Sequence, residues 1–192
     1  WFSTKNGVCR YDGYNTKVFR PTDHFSHDVV DLSQCVETDA DGNVVFGTNN
    51  GFYFIDIETD SLSKRVINDF ADSSDSYSNN IFSICVENNI IWAGTGNGLL
   101  RYDKKQGTLK YFKSREIYRG LKASRLWIKN MIYDGKNFIW LATPEALIKL
   151  DVRSFITEPF NASGPGKQFV NNNYFSSLAF DKKGRLWAGT IR

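Results

Sequence analysis

One block of sequence recurs along the whole chain, and that recurrence limits what the chain can fold into more than any other feature. Its fullest copy is Trp92-Ala93-Gly94-Thr95-Gly96-Asn97-Gly98-Leu99-Leu100-Arg101-Tyr102-Asp103. Earlier copies start at Trp1 and Val45, and later ones at Trp140 and Trp187, the last being truncated. Threonines 4, 48, 95, 143 and 190 mark the same place in each copy, with separations of 44, 47, 48 and 47 residues. A period in the middle forties holds four short strands and their turns, the size of a propeller blade, and the repeat lacks the 3.6-residue spacing of a helix. The sequence therefore predicts an all-β fold of four-stranded antiparallel meanders. One period reads as an inner strand over 82–87, a second strand over 90–95, a glycine turn at Asn97-Gly98, a third strand over 99–103 and an outer strand over 109–112.

The repeated residues suit that reading. A tryptophan on each second strand is a large apolar plate for the space between two packed sheets. Gly47, Gly94 and Gly189 permit a neighbouring sheet to come close, and Gly7, Gly51 and Gly98 supply a positive φ at the turn into the third strand. Aligning inner strands on Glu37, Glu87, Asp134 and Asp181 puts Ser33, Ser83, Asn130 and Ser177 in one register. Cys35, Cys85, Ile132 and Ala179 then share a core register. Blades lie at 1–20 (partial), 29–67, 81–113, 126–160 and 174–192 (partial). Because the chain starts and stops at a second strand, the expectation is a segment of about four periods from a larger ring.

Composition adds little. The 192 residues carry 24 Lys and Arg against 21 Asp and Glu, a net charge of +3 that gives no argument for a nucleic-acid or membrane surface. Apolar runs such as 81–86 are strand-sized, and the opening residues do not resemble a signal peptide. Three cysteines are too few for a disulfide framework and read as buried thiols.

Several residues invite chemistry. His24 and His27 form an H-x-x-H in a loop, which is not one of the strong metal spacings. Asp39-Ala40-Asp41-Gly42-Asn43 resembles the opening of a calcium loop, but position 50 is Asn50 where a glutamate is needed, so a hairpin turn is expected. The Asp181, Gly184, Trp187 spacing resembles a structural Asp-box with its glycine one residue late. Rings stack on sugar faces and basic groups bind acidic ones, which singles out Arg115, Tyr118, Arg119 and Lys122 in the segment 111–122, with Tyr77 and Trp127. Trp127 aligns with Val30, Asn80 and Tyr174 and is placed toward the channel or upper face. Strand order puts the second-to-third turns and the long connections 21–28, 68–80, 114–124 and 161–173 on one face, where binding chemistry tends to gather. The candidate binding set is thus His24, His27, Tyr77, Arg115, Tyr118, Arg119, Lys122 and Trp127, with no catalytic residue, metal or cofactor called for.

Ser83, Glu87, Trp92-Ala93-Gly94-Thr95, Gly98-Leu99 and Arg101-Tyr102-Asp103 together resemble the two-component regulator propeller repeat. The resemblance covers the chain in five copies. It implies a seven-bladed parent and a place in the periplasmic sensing region of a bacterial hybrid two-component sensor, whose ligands are often carbohydrates. It also implies a homodimeric receptor whose histidine kinase lies in other domains, so this segment is no enzyme itself and makes no membrane or nucleic-acid contact. A propeller lyase or hydrolase, and a protein-interaction scaffold, are the alternatives.

Overall fold

The computed structural model describes residues 1–5, 7–20, 34–66, 75–160 and 174–191. Five sheets follow one another along the chain. The first has three strands, β1 (Phe2–Thr4), β2 (Gly7–Tyr11) and β3 (Thr16–Phe19). The second is β4 (Cys35–Thr38), β5 (Val44–Thr48), β6 (Gly51–Asp56) and β7 (Ser61–Val66). The third is β8 (Ile81–Glu87), β9 (Ile90–Thr95), β10 (Gly98–Asp103) and β11 (Thr108–Lys113). The fourth is β12 (Asn130–Tyr133), β13 (Phe138–Ala142), β14 (Leu147–Asp151) and β15 (Thr157–Phe160), and the fifth is β16 (Phe175–Phe180) with β17 (Leu186–Thr190). Each is an antiparallel meander paired in chain order, as the repeat predicts.

Period-2 alternation with both faces buried explains how the sheets stack. Val44 and Phe46 of β5 pack toward Val8 and Phe19 of the first sheet, while Val45 between them packs toward Ile81 and Ile91 of the third. In β9, Ile91 and Ala93 face the second sheet, and Trp92, fully buried, faces Ile139, Leu141 and Ile148 of the fourth. Residues such as Phe46, Phe52 and Trp92 are wholly removed from solvent, each worth about 1.5–3 kcal/mol of transfer free energy. The tryptophan position is not uniform, however. Trp140 is half-buried, and Trp1 and Trp187 are exposed, Trp187 lying in a sheet whose far side no other described sheet covers.

Glycine at the second-strand position is explained by crowding from two sides. A Cβ on Gly94 would lie 2.6 Å from Cγ2 of Ile128 in the next sheet and 2.6 Å from Oγ of Ser83 across the strand pair. Gly47 meets Ile81 of the next sheet and the Cys35 Sγ in the same way, whereas Gly189 meets Ser177 of its own sheet. Gly98 adopts φ 138°, the positive region its turn requires.

The repeated threonine turns out to be the clamp of each second-to-third turn. Its hydroxyl donates to the carbonyl three residues on: Thr4 to Gly7 at 2.8 Å, Thr48 to Gly51 at 3.0 Å, Thr95 to Gly98 at 2.9 Å and Thr143 to Ala146 at 2.7 Å. Even the departing Pro144-Glu145-Ala146 turn keeps it. The aspartate closing each third strand caps the next turn, with Oδ1 accepting two backbone N–H groups at Asp12, Asp56, Asp103 and Asp151.

The inner-strand register in the second sheet differs from the sequence reading. Cys35 pairs with Gly47, as Ser83 pairs with Gly94 and Ser177 with Gly189, while Glu37 pairs with Val45 where Cys85 pairs with Trp92. Cys35 and Cys85 are therefore not equivalent, and Asp39, not Glu37, is the counterpart of Glu87, Asp134 and Asp181. The cause is the turn. Asp39, Asp134 and Asp181 each open a five-residue loop whose N–H groups their carboxylates accept, whereas β8 and β9 are joined by Asn88-Asn89 alone. Ser33 lies outside the described residues. Both thiols are free, and burial pushes Cys35 up to about 12 and Cys85 upward as well. No helix among the described residues is long and apolar enough to cross a membrane.

Candidate functional site

The face that carries the second-to-third turns also carries the connections into each inner strand. Between the third and fourth sheets this face assembles three rings. Trp127 stacks on Phe82 with centroids 5.7 Å apart and planes 15° from parallel, and on Tyr77 at 6.2 Å and 25°. Such separations describe offset stacking, and because all three side chains are only half-buried the rings form a terrace with open edges.

Each ring reaches the terrace by a different local device. Trp127 precedes β12, where Ile128 donates its N–H to the Thr95 carbonyl of the previous sheet and Lys129 bonds to Ala142 of its own. Phe82 is the extra residue of a β-bulge: Ile81 pairs with Thr95 and Ser83 with Gly94, so Phe82 has no partner and is re-aimed. Tyr77 sits in a single 3-10 turn (Ser76–Asn79), and Gly96 allows its approach, since a Cβ there would lie 3.1 Å from that of Tyr77.

A partly buried polar network holds these loops together. Asp75 accepts from the Tyr77 N–H at 3.1 Å, the Ser78 hydroxyl at 2.6 Å and the Asn97 amide at 2.5 Å. The Tyr111 hydroxyl donates to the Asn97 carbonyl at 2.6 Å, and the Ser114 hydroxyl donates to Asn97 Oδ1 while accepting from the Leu126 N–H. Thus the turn before β8, the 95–98 turn, the helix α1 (Ser114–Ile117) and the approach to Trp127 are one connected unit. Burial pushes the Asp75 carboxyl up, but its hydrogen bonds from Ser78, Asn97 and Tyr77 and the charge of Arg125 outweigh that and leave it below the ordinary range.

Two cations complete the site. The Arg125 guanidinium lies 4.2 Å from the Tyr77 ring centroid, and Lys129 Nζ lies 4.2 Å from that of Trp127 and 4.7 Å from that of Phe82. Burial lowers the Lys129 amine from its usual value.

Of the residues singled out from sequence, the structure brings Tyr77 and Trp127 together here. Tyr118 and Arg119 instead line an open cleft of about 460 Å³ at the outer rim, between α1 and β15, where Thr157 donates to the Ile117 carbonyl. Arg115 is exposed on α1, and the Lys122 N–H is bound, with that of Ala123, by the Glu145 carboxylate of the reshaped fourth-sheet turn. His24 and His27, like Val30, lie outside the described residues. Sequence reasoning missed Phe82, Arg125 and Lys129. The two cations were legible as basic residues flanking an aromatic one, but the bulge that turns Phe82 left no mark. The calcium-like acids are instead in contact with Lys104 of the neighbouring sheet, at 2.5 Å from Asp39 and 2.6 Å from Asp41. Asp181 does act as a structural box, accepting from Trp187 Nε1 at 3.1 Å and from Arg185, which lowers it to about 2.

Residues 169–192 match the family described as two component regulator propeller. Solved structures agree on the fold of this repeat chain. It is 21% identical to the extracellular domain of the putative hybrid two component system BT3049 from B. thetaiotaomicron, with a TM-score of 0.64, over 96% of this chain and 24% of that one. The corresponding domain of BT4673 from the same organism gives 19% identity and a TM-score of 0.59 over 83% of this chain and 19% of that one. A streptogramin B lyase is similar at 11% identity and a TM-score of 0.63, over 91% of this chain and 51% of that one. The propeller-repeat chain thus spans about a fifth to a quarter of the length of the two-component extracellular domains it matches. No curated protein matches it in sequence.

Proposed function

We propose that this chain is part of the extracytoplasmic sensing region of a hybrid two-component receptor, and that it binds a carbohydrate on the Tyr77, Trp127 and Phe82 terrace. The terrace is the observation that carries the reading. Three half-buried, nearly parallel rings on a propeller face offer flat apolar surface to the C–H face of a sugar, and the network under Asp75 holds them in place without ligand. In the receptor, a periplasmic homodimer, ligand binding shifts the population between two dimer arrangements and so signals to a histidine kinase across the membrane; this segment performs no chemistry itself.

A thermal-shift screen of a glycan panel against the intact receptor ectodomain tests the reading. A binding glycan raises the melting temperature with its concentration by mass action, and Trp127→Leu abolishes that rise while leaving the unliganded transition cooperative. A panel in which no glycan shifts the transition overturns it.

A further inference from the structure

The rings account for the sugar-like flatness of the site but not for the charge around it. From Lys113 to Lys129 the chain carries six basic residues and a single acid, Glu116, although the net charge of the whole protein is only +3. The rest of the molecule is therefore net acidic, and its positive excess is gathered in the segment that delivers Trp127. Among the described residues no ion pair neutralises that excess. The ion pairs of the described residues join Arg10 and Lys17 to Asp60, Lys104 to Asp39 and Asp41, and Arg185 to Asp181, and none involves this segment. Glu145, the acid that does reach it, places both carboxylate oxygens on backbone N–H groups. Asp75 feels the charge of Arg125 but places its oxygens on Ser78, Asn97 and the Tyr77 N–H, and no ion pair joins the two among the described residues.

Arg125 and Lys129 are left over opposite parts of the terrace, one against Tyr77 and the other against Trp127 and Phe82. A cation held on a ring face by this weak attraction keeps its N–H groups free for an anion, and a guanidinium can present two of them side by side to a carboxylate or sulfate. Burial of Lys129 with no carboxylate paired to it among the described residues works in the same direction, since an arriving anion restores what desolvation removed.

We propose that the carbohydrate recognised here is acidic, its sugar rings lying on the terrace and its carboxylate or sulfate groups paired with Arg125 and Lys129. The inference rests on the reading of the terrace as a sugar platform. A single-stranded nucleic acid has a comparable mixture of flat rings and anions, and its binding is one of the outcomes the experiment distinguishes.

Calorimetric titration of the intact protein with four probes tests it: an oligogalacturonate, a sulfated chondroitin oligosaccharide, a neutral cello-oligosaccharide and an oligothymidylate. Binding of an acidic saccharide, weakening as salt rises, supports the proposal, and the first two probes tell carboxylate from sulfate. Arg125→Gln and Lys129→Gln should each weaken that binding by roughly tenfold, with unfolding transitions like the parent's. Neutral saccharide bound as well as the acidic ones, or acidic saccharide bound equally by both variants, overturns the acidic ligand and leaves the sugar reading standing. Binding of the oligothymidylate alone, or of none of the four, overturns both.

Discussion

Thr95 carries two hydrogen bonds on one buried hydroxyl, donating to the Gly98 carbonyl and accepting from the Asn97 N–H at 3.0 Å. Thr95→Val preserves shape and removes both, so the turn loses its clamp and a partly buried N–H and a buried carbonyl are left to find other partners. A loss of about 1–3 kcal/mol in urea unfolding is expected; a variant as stable as the parent would mean that the turn is held by its backbone alone. The threonine was legible as the phase marker of the repeat, yet its role was not, because a hydroxyl in an apolar block has no pattern that names its partner. The same limit applied to Phe82. The sequence placed it only as the first residue of the inner strand over 82–87, and the bulge that sends it to the terrace is an insertion of one residue that strand periodicity cannot detect.

Sheets were read well because their spacing repeats, and registers were read less well because turn lengths do not. In the second sheet an acid two residues away from the right one was available, and choosing Glu37 moved Cys35 into a place that belongs to Glu37 itself. Asp39, the true counterpart, gives that turn a function beyond its own sheet. Its carboxylate is buried, and Lys104 from the turn after β10 reaches it and Asp41, tying the second sheet to the third. A double-mutant cycle of Lys104→Met and Asp39→Asn should return a coupling energy of about 0.5–3 kcal/mol, the range for residues in direct contact. Additive single effects would show that packing alone joins the two sheets.

Across the molecule the same small device recurs, a carboxylate whose oxygens accept backbone N–H groups. Such bonds, led by those from Asn15, Thr59, Ser154 and Arg185, hold Asp12, Asp56, Asp151 and Asp181 below the ordinary carboxylate range, Asp181 at about 2. A depressed folded value means that the unfolded chain binds protons first. The stabilisation is therefore complete above the unfolded value of about 4 and disappears as pH falls toward 2. The melting temperature should decline steadily over that interval, and a flat profile there would contradict the role given to these turns. The threonine clamp has a wider consequence. It fixes each second-to-third turn through the first and last of four residues, so the two between them vary without disturbing a sheet: Asn49-Asn50, Gly96-Asn97 and Pro144-Glu145 all fit the same frame. One rim of the propeller is in effect an interchangeable alphabet, on which a new ligand preference can be written a pair of residues at a time while the scaffold stays as it is.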